Sequence, residues 1–159
     1  ALRGMRVLAR SRQGGRDVPA DNWALVATEA LFARGDLDAA DRELFARHAA
    51  LIAGADLAGQ ILDPASAIYG CFTSDGRTTP SATRLEGLLA ASALLPRDRI
   101  TTPIAAGIDF LLASQLADGA MPGDRRRLTV RIDYIQHALS ALIRYRAWGR
   151  GAARNPAPS

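Results

Sequence analysis

Residues 36–55, DLDAADRELFARHAALIAGA, decide the fold. Leu37, Leu44, Phe45, His48, Leu51, Ile52 and Ala55 recur at i, i+3, i+4 and i+7, while Asp38, Asp41, Arg42, Glu43 and Arg47 fall opposite. That period describes an amphipathic helix laid on a core, not a strand. Residues 2–12 form a shorter helix of the same kind. Thr102-Pro103 is an N-cap and first-turn pair for another, running through Ile104, Ile108, Leu111 and Leu112 to about residue 116.

Three other segments are apolar nearly all round. Residues 21–33 carry Trp23, Leu25, Val26, Leu31 and Phe32, and Thr79-Pro80 caps a helix with Leu85, Leu88, Leu89, Leu94 and Leu95. Residues 132–148 carry one stripe of Ile132, Ile135, Leu139 and Leu142 and another of Tyr134, Ala138, Ala141, Tyr145 and Trp148, with Gly149 as the stop. Helices of this composition are expected inside. The two kinds alternate, which predicts one all-α domain over 1–148 of about six helices. They form three helical hairpins, about 1–34, 36–95 and 102–148, and a flexible tail follows over 149–159.

Composition agrees. Of 159 residues, 32 are alanine and all 20 basic residues are arginine, and residues of this type lose little side-chain freedom in a helix. At 48% hydrophobic and 23% charged, the chain can bury a core, which excludes wholesale disorder. The pI near 10.2 follows largely from the absence of lysine. Charge is uneven, however: residues 1–124 hold 12 Arg against 15 acids, and 125–159 hold eight Arg against Asp133 alone. A single cysteine, Cys71, excludes an internal disulfide and a thiolate-rich zinc site. No apolar run approaches the ~18 residues of a membrane span and no signal-peptide core is present, so the expectation is a cytoplasmic protein with no membrane contact. The chain opens at Ala1 without an initiator Met, so sequence upstream of it is expected.

The hairpins repeat in sequence. Glu29-Ala30-Leu31, Glu86-Gly87-Leu88 and His137-Ala138-Leu139 occupy matching places, 57 and 51 residues apart. Gly107-x-x-Phe110-Leu111-x-x-x-Gln115 followed by Asp118-Gly119 resembles the Gln-containing repeat of terpenoid cyclases and related α/α-toroid proteins. In that family outer helices alternate with inner ones around an axis. The resemblance implies that the Gln closes an outer helix and stiffens the turn into the inner one. The motif's final Trp is absent, with Met121 near its place, the first hairpin matches it loosely at Gln13, and the second surface helix lacks it unless Gly59-Gln60 is a remnant. Toroids usually hold five to seven hairpins, so three imply half of a larger ring, with a missing N-terminal part or a partner chain covering the apolar flanks.

In toroids, ligands meet the loops and N-terminal ends of the inner helices, where free N–H groups attract anions. The resemblance therefore directs attention to Asp21 and Trp23, to Asp75, Arg77 and Arg84, and to Asp133 and Tyr134 as ligand-binding residues. Deeper in the same helices, Glu29, Glu86 and His137 converge if their repeat position faces the axis. Two carboxylates and a histidine together suit general acid and base catalysis. A Glu in an apolar helix is, however, more often a structural group paired with an arginine, and Arg77 and Arg84 are available for that role.

Cys71, Asp75 and His137 are similar to the zinc site of prenyltransferase toroids, but the Asp falls on the wrong side of the Cys, so no metal and no cofactor is expected. His48 reads as a packing residue. The loop Gly70 to Pro80 is polar and near a helix start, which suits function or a flexible connector. Arg125-Arg126-Arg127 with Arg131 could hold a phosphate, a uronate or nucleic acid. It lacks the aromatic interleaving of a nucleic-acid motif, which argues against nucleic acid. The pocket is too polar, and the chain too poor in aromatics, for an isoprenoid cation. A carbohydrate-like or anionic small substrate is the first expectation. A non-catalytic helical interaction domain and an isoprenoid cyclase relative are the alternatives.

Overall fold

The computed structural model describes residues 1–14, 18–124 and 128–154. The Arg125–Arg127 run, Gly15 and the last five residues of the expected tail lie outside them. Among the described residues there are six α-helices: α1 (Leu2–Ser11), α2 (Asn22–Ala33), α3 (Ala39–Ala58), α4 (Thr78–Ala90), α5 (Arg97–Ser114) and α6 (Ile132–Arg154). A single 3₁₀ turn spans Ser92–Leu94. Among the described residues there are no strands, only isolated bridges at Arg77↔Asp124 and Pro122↔Val130. No helix here is long and apolar enough to cross a membrane.

The starts of α2 and α3 follow from capping chemistry. Asp21 accepts from the Ala24 amide at 3.0 Å and Asp38 from the Asp41 amide at 2.7 Å, each satisfying one of the free donors at a helix start. α5 departs from the sequence reading: it begins at Arg97, so Thr102-Pro103 lie inside it rather than at its head. Ile100, 1% exposed, is the physical reason. Burying it in the core outweighs the backbone hydrogen bond that Pro103 cannot make. α4 is also shifted, starting at Thr78 with Pro80 in its first turn, and ending at Ala90 before the 3₁₀ turn. α6 does not stop at Gly149 but continues to Arg154.

α4 lies at the centre, packed against α2, α5 and α6, while α3 packs against α1 and α2. Nine of its thirteen residues are buried, so it is the one helix of the all-round apolar kind that is truly interior. α6 is not. Among its described side chains it buries Ala138 and Ala141 and leaves Ile132, Ile135, Leu139 and Ile143 open to solvent. α3 and α5 lay their apolar stripes on the core as amphipathic helices do, burying Phe45, His48 and Ile52, and Ile104, Phe110 and Leu111.

The long segment between α3 and α4 is tied down rather than loose. Ile61 N donates to Cys71 O at 2.8 Å, Gly70 N donates to Ile61 O at 2.7 Å, and Gln60 Nε2 donates to Gly70 O at 3.1 Å and Pro103 O at 2.8 Å. Gly70 is required here: its φ is +85°, and a Cβ would stand 1.9 Å from the Ala106 carbonyl oxygen. Cys71 and Phe72 are buried, with Cys71 Sγ 3.2 Å from Ser81 Oγ, which also accepts from the Phe72 amide at 3.1 Å. The turn after α5 is closed by Gln115 Nε2 donating to Gly119 O at 3.0 Å and by the Ala120 amide donating to Asp118 at 3.0 Å.

Candidate functional site

Glu86 sits on the central helix, 7% exposed, where an isolated charge would be costly. Two side chains of α6 resolve this. His137 Nδ1 lies 3.0 Å from Oε2, and Ser140 Oγ donates to Oε1 at 2.6 Å. A carboxylate only accepts, so the proton of a neutral His137 resides on Nδ1 and its Nε2 carries the lone pair. Trp23, 60% exposed at the start of α2, meets the His137 ring edge-on, with centroids 6.0 Å apart and planes at 68°. Trp23, Glu86 and His137 are thus drawn from three helices into one group.

Glu29 does not join it. Arg144 Nη1 donates to both of its oxygens, at 2.9 and 2.8 Å. Trp23 with His137 and Glu29 with Arg144 are successive rungs between α2 and α6. Six residues of helix separate Trp23 from Glu29, about 9 Å of rise. Equivalent positions in the sequence repeat therefore lie at different depths, and the expected convergence of Glu29 with Glu86 and His137 gives way to a Glu29–Arg144 ion pair.

The remaining candidates divide. Asp21 is engaged on both oxygens, by the Ala24 amide and by Arg12 Nη1 at 2.8 Å. Arg84 turns into the fold: its Nε is 3.5 Å from Asp56 and its Nη1 donates to the Phe72 carbonyl. Neither is presented to a ligand. Arg77 and Tyr134, by contrast, line a cleft of about 320 Å³ together with Gly123, Asp124, Thr129 and Arg131, at the N-terminal ends of α4 and α6. Asp75 and Asp133 stand behind it, pairing with Arg77 Nε at 2.8 Å and Arg131 Nε at 3.0 Å. Thr73 and Arg77 both hydrogen-bond Asp75, which holds its carboxyl below the usual range. Cys71 lies in the core and Asp75 at the surface, and among the described residues no three His, Cys, Asp or Glu side chains converge as metal donors.

Sequence reasoning passed over Ser140, Arg144 and Asp56. Ser140 and Arg144 lie three and seven residues beyond His137, on the face that His137 shares, so helical spacing was a usable signal. Asp56 had none. It is fully buried beside Arg84, its oxygens accept no hydrogen bond from the described residues, and burial raises its pKa to about 7. No protein-family model, curated protein or solved structure matches this chain.

Proposed function

We propose that the face where α2, α4 and α6 meet acts on a small, carbohydrate-like molecule, with His137 as the proton-transfer group. The observation that carries the reading is the buried Glu86 bonded to His137 and Ser140 beneath the exposed Trp23. Glu86 fixes the imidazole's orientation and tautomer, which leaves Nε2 as the atom that can take or give a proton. Ser140 completes the carboxylate's hydrogen bonds. Trp23 offers an apolar ring face on which the C–H face of a sugar can lie. Glu86 and Ser140 are positioning residues, whereas His137 and Trp23 meet the ligand.

The same proposal takes the six helices as hairpins of α/α-toroid type, half of a larger ring. What supports it is the side-by-side series α2, α4, α6, the adjacency of α1 and α3, and the two glutamines, Gln60 and Gln115, that bond the carbonyls of the turns following α3 and α5.

Trp23 emission tests the ligand reading. Trp148, the other tryptophan, lies under Arg97 at 4.7 Å, so a Trp148→Phe background isolates the signal. Adding neutral and acidic pyranosides is expected to give a saturable change in emission, weakened about tenfold by His137→Ala. In Glu86→Gln, binding weakens while the variant remains folded by circular dichroism. No saturable response to any pyranoside at tens of millimolar, or unfolding of Glu86→Gln with ligand affinity unchanged in the folded fraction, overturns the reading.

A further inference from the structure

We propose that the cleft at the N-terminal ends of α4 and α6 is an oxyanion-binding site that takes a carboxylate or phosphate group borne on a small molecule. It goes beyond the His137 reading and does not depend on it.

The cleft, about 320 Å³, is the size of a small-molecule site. Among the described residues two guanidiniums line it, Arg77 and Arg131, with one carboxylate, Asp124. Each arginine is held through Nε by an acid two residues away, Asp75 at 2.8 Å and Asp133 at 3.0 Å. That grip orients the side chain while leaving its terminal Nη amines without a hydrogen bond among the described residues. Arg131 is further steadied by the Tyr134 ring, 5.6 Å from its guanidinium carbon. A pair of oriented forks is the arrangement that recognises the planar oxygens of a carboxylate or the three of a phosphate.

The wall is also built rather than loose. Gly123 O accepts from the Thr78 amide at 2.9 Å and from Thr78 Oγ1 at 3.0 Å, and Gly123 N donates to Thr129 O at 3.0 Å. The bridge Arg77↔Asp124 ties the same segment to the head of α4. Gly123 has a steric reason to lack a side chain, because a Cβ there would stand 2.9 Å from the Tyr134 ring. The close approach lets Tyr134 form one side of the cleft.

Each arginine already shares its charge with an acid, so affinity is expected in the millimolar range rather than below it. The test is amide NMR at constant ionic strength, titrating inorganic phosphate, glucuronate, glucose or chloride into the protein. Saturable shifts at Gly123, Thr129 and Arg131 are expected with phosphate or glucuronate and not with glucose or chloride. Arg77→Gln and Arg131→Gln each weaken binding about tenfold, and Arg99→Gln, on the groove between α3 and α5, leaves it unchanged. Both arginines are more than half exposed, so the variants are expected to fold, which their unchanged melting temperatures would show. Tighter binding of phosphate assigns the site to phosphoryl groups, and tighter binding of glucuronate assigns it to carboxylates. Shifts that grow linearly with every anion, or that persist in the double variant, overturn the proposal.

Discussion

Asp56 is the residue least at home in this fold, and its cost depends on pH. Its carboxyl is fully buried, and burial lifts its pKa from 3.8 to about 7, with Arg84 at 3.5 Å offsetting part of the effect. Below pH ~4 the acid is protonated folded or unfolded, and it contributes no pH dependence. Between about 4 and 7 the unfolded chain ionises while the folded chain holds its proton, so stability falls as pH rises, by up to roughly 1.4 kcal/mol per unit. Above that window the loss is complete. Thermal unfolding of Asp56→Asn across this range is expected to lack that slope, and an identical slope in both proteins would refute the assignment. His48 acts the other way. Burial, with Arg12 beside it, lowers its pKa, so the fold keeps it neutral and loses stability as pH falls below about 6.5. At this scale sequence could identify His48 as a packing residue, because it lies on the apolar stripe of α3. It could not flag Asp56, because an acid two residues from a helix end reads as exposed until the neighbouring helix is known.

Among the elements, α6 shows how far periodicity reaches. Its residues form two stripes of helical spacing, and the period alone does not say which faces the core. The stripe holding Ala138 and Ala141 packs on α4, because its small residues admit the close helix approach that also brings His137 and Ser140 to Glu86. The bulkier Ile132, Ile135, Leu139 and Ile143 are left outside. Two substitutions separate the faces. Leu139→Glu, at a position 53% exposed, is expected to change unfolding free energy by less than about 0.5 kcal/mol. Leu88→Ala, fully buried on α4, is expected to cost about 2–5 kcal/mol in chemical denaturation. Equal losses would show that α6 is buried in solution. Helix count, the α2 start and Cys71 as a lone thiol were legible in sequence, since each rests on local spacing or composition. The α5 start and the partner of Glu29 were not, because burial of Ile100 and the axial offset between Trp23 and Glu29 are tertiary facts.

At the scale of the whole molecule, α4 is the common wall of every proposed site. It carries Glu86, its N-terminal end borders the arginine cleft, and α2, α5 and α6 all rest on it. Such a topology makes stability uneven. Amide hydrogen exchange is expected to be slowest along α4 and faster along α1 and the outer half of α6, whose backbones have fewer buried neighbours. Uniform protection across all six helices would contradict that hierarchy. Beside the buried Met5 and Ala9 of α1, the Arg6 fork on Asp41, at 2.8 and 2.5 Å, links α1 to α3, and it holds the Asp41 carboxyl below its usual range.

Cys71 gives this hierarchy an independent clock. Its sulfur has no solvent exposure and is boxed in by Thr73 and Ser81, so an alkylating reagent can reach it only when the 61–77 segment lifts from the head of α4. With no second thiol in the chain, the rate of mass gain under iodoacetamide reports that one opening event. A ligand bound in the arginine cleft, by bracing Arg77 at the segment's end, should slow the reaction without touching the sulfur.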